Sequence, residues 1–231
     1  MWTASQLTER LQGAYGPPPR RLPLDAVSEL VLGILSQNTS DKNSRPAFRA
    51  LKAAYLHWEQ VAQAPEADIA TAIRPAGLHH TKAHYIKQAL QRVVPQGNGH
   101  GHGPSMDFLA SMPVEKAIAW LEALPGVGPK TARVVLLFGL RLPVFPVDTH
   151  VHRVSRRLGL IGPRVSREQA HRLLEQFFPP EDYYAAHLLF IQHGRQTCLA
   201  RRPRCQACVL SQECGYNQSL QEGKACQEGK L

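Results

Sequence analysis

Four cysteines fall in one short window, Cys198-x6-Cys205-x2-Cys208-x5-Cys214, in a chain of 231 residues whose fifth cysteine is Cys226. A thiolate is a metal ligand, and four of them suit either zinc or a [4Fe–4S] cluster. Structural zinc usually takes two C-x2-C pairs, and this window has one. Its compact spacing wraps a single ligand loop around a larger object, which favours iron–sulfur over zinc. Disulfides fit poorly, because the N-terminus lacks a basic and then apolar export signal. The first loop of the window reads Leu199-Ala200-Arg201-Arg202-Pro203-Arg204. Three arginines on a metal-pinned loop make a rigid surface for phosphate. Cys226 lies in a polar tail and reads as a bystander.

A second chemical stretch is Leu124-Pro125-Gly126-Val127-Gly128-Pro129-Lys130-Thr131-Ala132. A helix stops at Leu124, two glycines allow a tight turn, and Pro129 opens a new helix where its missing amide costs nothing. The amides of Gly126, Val127 and Gly128, with those that open the second helix around Thr131, form a donor cluster suited to a phosphate oxygen. Lys130 sits at the positive end of that helix, where a neutral amine is favoured over a charged one. A neutral amine is what a Schiff-base nucleophile needs; an exposed lysine touching phosphate is the other reading. Further on, Val147-Asp148-Thr149-His150-Val151-His152-Arg153-Val154 places Asp148 where a helix cap belongs. A carboxylate held there can also stabilise a cation or take a proton. His150 lies on a basic helix suited to DNA, whereas His152 reads as a core histidine.

Helices must position these groups. Leu24, Val27, Leu30, Val31, Ile34 and Leu35 recur at steps of three and four. Asp41 is placed to cap a helix through Ala47, Phe48, Leu51 and Tyr55. Further helices are predicted over His79–Val93, around Val114, Ile118 and Leu121, and over Lys130–Leu140, Val151–Leu158, Arg167–Phe178 and Tyr183–His193. No run alternates with period two, so the fold class is all-α. Gly13–Pro23, with its Gly-Pro-Pro-Pro-Arg-Arg, cannot continue a helix. Pro95–Pro104 (PQGNGHGHGP) reads as a solvated connector, not a histidine metal site. The longest apolar run, Val134–Phe138, falls far short of the roughly 20 residues needed to span a bilayer. Lys and Arg number 27 against 18 Asp and Glu, a formal charge of +9 that suits a polyanionic partner.

These pieces together resemble the endonuclease III family of helix-hairpin-helix DNA glycosylases. The match runs in family order: LSQNTSD at Leu35–Asp41, GLHHTKA at Gly77–Ala83, LPGVGPKTA at Leu124–Ala132, VDTHVHRV at Val147–Val154, and the cysteine window. The resemblance implies two helical domains with a DNA-binding cleft between them. One is a six-helix domain, 25–140, and the other combines 1–24 with 141–231 and holds a [4Fe–4S] cluster. It implies excision of oxidised pyrimidines from duplex DNA, with Lys130 as nucleophile and Asp148 as the assisting carboxylate. Leu78 matches the family's apolar wedge, with His79 beside it. The polar plug, a glutamine in better-known members, falls on Asn38, with Gln37 just before it. His79 and His80 also depart from common members.

The implied partner is double-stranded DNA bearing a damaged base or an abasic site, bound by a monomer in the cytoplasm, associated with the nucleoid. Two alternatives share the same motifs. A monofunctional mismatch glycosylase usually lacks a lysine at the position of Lys130. A non-catalytic sensor of abasic sites would need neither Lys130 nor Asp148.

Overall fold

A computed structural model describes residues 2–18, 24–96 and 103–223. Cys226, much of the proline–arginine stretch and the middle of the Pro95–Pro104 connector lie outside the described residues. Every element formed by the described residues is helical, in keeping with the period-three and period-four patterning. The chain divides into two compact units, one of Leu22–Leu142 and one of Met1–Arg21 with Pro143–Leu231.

The Leu22–Leu142 unit contains α2 (Ala26–Leu35), α3 (Asp41–Ala54), α4 (Trp58–Gln63), α5 (Glu66–Ala72), α6 (His79–Val93), α7 (Val114–Glu122) and α8 (Pro129–Val134). Helix α2 is apolar nearly all round and is buried along almost its whole length, from Ala26 to Leu35. It packs against α3, α6 and α8. Burying each of Leu30, Ile34 and Leu35 contributes about 1.5–3 kcal/mol. Two glycines permit the close approaches. A Cβ on Gly33 would stand 2.8 Å from Thr131 Cγ2, and one on Gly139 would stand 2.6 Å from the Ala26 Cα.

Two expectations need correction here, and two helices went unpredicted. Asp41 is the first residue of α3, and Ser40 is its N-cap. The apolar stretch after Lys130 is α-helical only to Val134; Val135–Gly139 is wound as a π-helix. Leu142 N then bonds back to Leu136 O at 2.9 Å, which closes the end over Arg141 at φ +56°. Helices α4 and α5 are too short, at 6 and 7 residues, to show a periodic stripe.

The other unit contains α1 (Ala4–Tyr15), α9 (Thr149–Leu158), α10 (Arg167–Phe177), α11 (Tyr183–Gln196) and α12 (Gly215–Gln221). Its core is aromatic. Phe145 stacks on Phe178 at 5.3 Å, and Phe190 and Tyr183 meet that pair edge-on. Helices α9 and α11 cross closely at Gly194, where a Cβ would lie 2.9 Å from that of His150. No helix among the described residues is long and apolar enough to cross a membrane.

Candidate nucleic-acid interface and metal centre

The hairpin joins α7 to α8. Gly126 has φ +75°, a conformation open to glycine at no steric cost. It also lies under Tyr85, so that a Cβ there would sit 2.5 Å from Tyr85 Cδ2. From the other side Gln37 Nε2 donates to the Gly126 carbonyl. Gln37 therefore works inside the protein, fixing the hairpin against the loop that follows α2. Val127 is buried, and its amide is spent on Leu124 O at 3.1 Å. Thr131 is likewise buried, against Gly33. Gly128 has open space where a side chain would be. Lys130, the second residue of α8, is exposed.

Four non-glycine residues among those described have positive φ: Asn38 (+51°), Leu78 (+47°), Arg141 (+56°) and Arg202 (+51°). Such backbone costs on the order of 1–3 kcal/mol per residue, and it clusters where function demands it. Three of the four are residues singled out above as DNA contacts. Asn38 is exposed on the loop after α2. Leu78 caps α6 and is 61% exposed, an unusual state for a leucine. Its neighbours His79 and His80 lie ring to ring, with centroids 4.4 Å apart. Arg202 is exposed with Arg201 and Arg204 on the first loop of the cysteine window.

Asp148 is the N-cap of α9. Its Oδ1 accepts from the amides of both His150 and Val151 at 2.8 Å. The approach to it is fixed by groups that sequence reasoning missed. Glu175 Oε1 accepts from Phe145 N at 3.0 Å, and His187 Nδ1 donates to Pro146 O at 2.8 Å. His171 Nδ1 lies 3.1 Å from Val147 N and 2.8 Å from Phe145 O, and can satisfy one at a time. His150 itself is half-buried, its Nδ1 3.1 Å from Arg153 Nη2. His152 Nε2 lies 2.8 Å from Val165 O.

The four cysteines line one cavity together with His193, Arg157 and Tyr216. Among the described residues no three His, Cys, Asp or Glu side chains converge tightly enough to hold one metal ion. The sulfurs instead surround a space and receive N–H donors. Arg157 Nη1 stands 3.4 Å from Cys198 Sγ, and Leu210 N stands 3.4 Å from Cys208 Sγ. Hydrogen bonds to the ligand sulfurs are a regular feature of iron–sulfur sites, so the residues fit such a group. Burial pushes the Cys205, Cys208 and Cys214 thiols up, Cys208 to about 11. A bound metal opposes that by holding the thiolate form.

Two arginines on α9, also missed in the sequence, fasten the loop. Arg153 Nε donates to Cys198 O at 3.0 Å and its Nη2 to Gly194 O at 2.8 Å. Arg157 donates to Leu199 O at 2.6 Å and Ala200 O at 3.1 Å, and its guanidinium lies 4.5 Å from the Tyr216 ring centre. Behind Cys208, His193 Nε2 is 3.8 Å from the sulfur, and His193 Nδ1 is 2.8 Å from the Tyr15 hydroxyl. Burial, then the Arg153 charge, lowers the His193 pKa to about 4, which keeps the ring neutral. The one signal in the sequence was the four-residue spacing of Arg153 and Arg157, which puts both on one face of a helix.

The chain matches a family model described as the HhH-GPD superfamily base excision DNA repair protein over residues 31–180. It is 36% identical over 185 residues to the endonuclease III of Sulfolobus acidocaldarius, covering 79% of this chain and 78% of that one. It superposes on a solved endonuclease III bound non-covalently to DNA with a TM-score of 0.79 at 26% identity, covering 96% of this chain and 100% of the other. A trapped covalent endonuclease III–DNA intermediate gives a TM-score of 0.78 at 25% identity over the same shares.

Proposed function

Because the chain belongs to the HhH-GPD superfamily of base excision DNA repair proteins, we propose that it excises oxidised pyrimidines from duplex DNA and nicks the resulting abasic strand. The observation that carries this reading is the joint presence of an exposed amine at the hairpin and a capped carboxylate. Lys130 is exposed at the start of α8, and the cap on α9 engages Oδ1 of Asp148. Oδ2 accepts no hydrogen bond from the described residues.

The chemistry proceeds in balanced steps. The damaged nucleotide leaves the stack, because its C1′ is unreachable inside the duplex. Leu78 and Asn38 fill the gap it leaves, the leucine as an apolar wedge. The bond from C1′ to the base breaks with its electron pair on the base, which takes a proton from water, and the Asp148 carboxylate stabilises the cationic sugar left behind. Lys130 Nζ bonds to C1′ and loses a proton to Asp148; the C1′–O4′ bond then breaks, O4′ takes up that proton, and the opened sugar is left as a Schiff base on the lysine. A base takes the C2′ proton as the C2′–C3′ double bond forms and the 3′ phosphate leaves with the C3′–O electron pair; water then hydrolyses the Schiff base and returns Lys130 as the amine. Cys198, Cys205, Cys208 and Cys214 would hold a [4Fe–4S] cluster, which when bound cross-links its loop and so pins Arg201, Arg202 and Arg204.

Borohydride reduction tests the reading. Incubation with duplex DNA containing thymine glycol or an abasic site, followed by reductant, is expected to trap a covalent complex. Lys130→Gln is expected to abolish trapping. Base release without trapping in the unaltered protein would mark a monofunctional glycosylase. Binding of abasic DNA without any cleavage would mark a damage sensor. Visible absorbance from the purified protein is the expected mark of iron–sulfur, since a zinc site is colourless.

A further inference from the structure

Lys82 is the most unusual charged residue outside the machinery described so far. It is 3% exposed, on the second turn of α6. Its three N–H donors meet three acceptors: Leu35 O at 2.8 Å, Thr39 Oγ1 at 2.7 Å and Ala76 O at 2.9 Å. Thr39 Oγ1 in turn donates to Ala76 O, closing a ring of hydrogen bonds. None of these partners is a carboxylate. Burial lowers the Lys82 pKa from its ordinary value, so the ammonium is held against a desolvation cost. A core position that needed only to be filled would be served better by leucine or methionine.

The acceptors explain the lysine. Leu35 O closes α2, and Leu35 and Thr39 bracket Asn38; Ala76 O closes the short turn of Arg74–Ala76, two residues before Leu78. The end of a helix and the end of a turn are the places where unpaired carbonyls accept a cation. The two loops that it joins carry two left-handed residues, Asn38 and Leu78, whose strained backbone must be over-determined to persist.

We propose that Lys82 is a positioning residue that locks the Asn38 loop to the Leu78 loop, so that plug and wedge engage DNA as one coupled unit. The inference rests on the reading of Asn38 and Leu78 as DNA contacts. Were the lysine only a stabiliser of the fold, Lys82→Met would lower the melting temperature and leave the relation between the two loops unchanged.

The test is a double-mutant cycle on affinity for duplex DNA carrying a tetrahydrofuran abasic analogue. Asn38→Ala, Leu78→Ala and their combination are measured in the unaltered protein and again with Lys82→Met. The expected result is a coupling of about threefold or more in the unaltered protein, within the range for residues that share a network. With Lys82→Met the coupling should fall to unity, so that the two losses multiply. Thr39→Val, which keeps the lysine and removes the bridging hydroxyl, should reduce the coupling part-way, and it serves if Lys82→Met does not fold. Coupling unchanged in both backgrounds, with each single substitution still weakening binding, would overturn the role of Lys82 and leave the DNA contacts standing. Single substitutions with no effect on binding would overturn the contacts and this inference together.

Discussion

At Asp148, capping and the proposed catalysis make different demands on the same carboxylate. The cap needs an oxygen that accepts from the amides of His150 and Val151, and an amide oxygen can do that. Stabilising a cationic sugar and taking a proton need the charge. Asp148→Asn is therefore expected to melt close to the unaltered protein while losing about a hundredfold or more in single-turnover base excision. Asp148→Ala should lose the same activity and about 1 kcal/mol of stability as well. Parallel losses of stability and activity in the two variants would reduce Asp148 to a cap. The neighbouring His150 makes a prediction about pH. Burial, with the Arg153 and Arg195 charges behind it, lowers its pKa below the ordinary 6.5, against the pull of Asp148. Between the folded and unfolded values the unfolded chain binds more protons, so this stability is complete above 6.5 and is lost as the pH falls through the folded value. Melting temperature should thus fall on acidification, and fall less steeply in His150→Gln. Equal slopes would show that other groups carry the effect. Asp148 was legible as a cap from its residue type and its place before a helix, the same signal that set the cap of α3 one residue late at Asp41. Lys82, Arg153 and Arg157 were not, because most of their hydrogen bonds go to backbone carbonyls of other elements, and a carbonyl has no letter in the sequence.

The glycines of the hairpin separate fold from recognition at the scale of the element. Gly126 combines φ +75° with Tyr85 at 2.5 Å from a would-be Cβ, and Gln37 holds its carbonyl. Gly126→Ala is expected to destabilise the protein by roughly 1–3 kcal/mol, through backbone strain and overpacking. Gly128 has φ −107° and nothing within 4 Å, so alanine fits there without strain. Gly128→Ala should leave the melting temperature nearly unchanged and weaken DNA binding, because in the proposed reading the methyl group would stand where a phosphate approaches. Full binding by Gly128→Ala, compared in the same assay, would remove this face of the hairpin from the interface. The longer helices were legible from periodicity: α6 spans His79–Val93, as its stripe through Ile86, Ala89, Leu90 and Val93 requires. The π-wound turn after α8 was hidden, because Val135–Gly139 is apolar whichever helix type it adopts. Helix α2 shows the same limit from the other side. Its apolar residues announce burial, but the close packing against Thr131 follows from a glycine at 33, which sequence alone scores as a weak point.

Across the whole molecule, the formal charge of +9 states only that a polyanion is attracted. The described groups divide that attraction into two kinds. Arg201, Arg202 and Arg204 are exposed on a loop fastened by Arg153 and Arg157 and bounded by Cys198 and Cys205. Each arginine set on a phosphate releases counterions and adds about 0.9 to the slope of log affinity against log salt. The hairpin offers neutral amides, which add affinity with no formal charge and so no slope. Salt titration therefore tells the two apart. Arg202→Ala should weaken binding to every sequence alike and flatten the slope by about 0.9. Gly128→Ala should weaken binding at each salt concentration and leave the slope as it was. Removal of the proposed cluster should free the loop and flatten the slope by as much as about 2.7, the share of three arginines, while Gly128→Ala on top of it still costs its own factor. A slope unmoved by Arg202→Ala and by metal removal alike would take the cysteine window out of the DNA interface, and its four thiolates would then serve the fold alone.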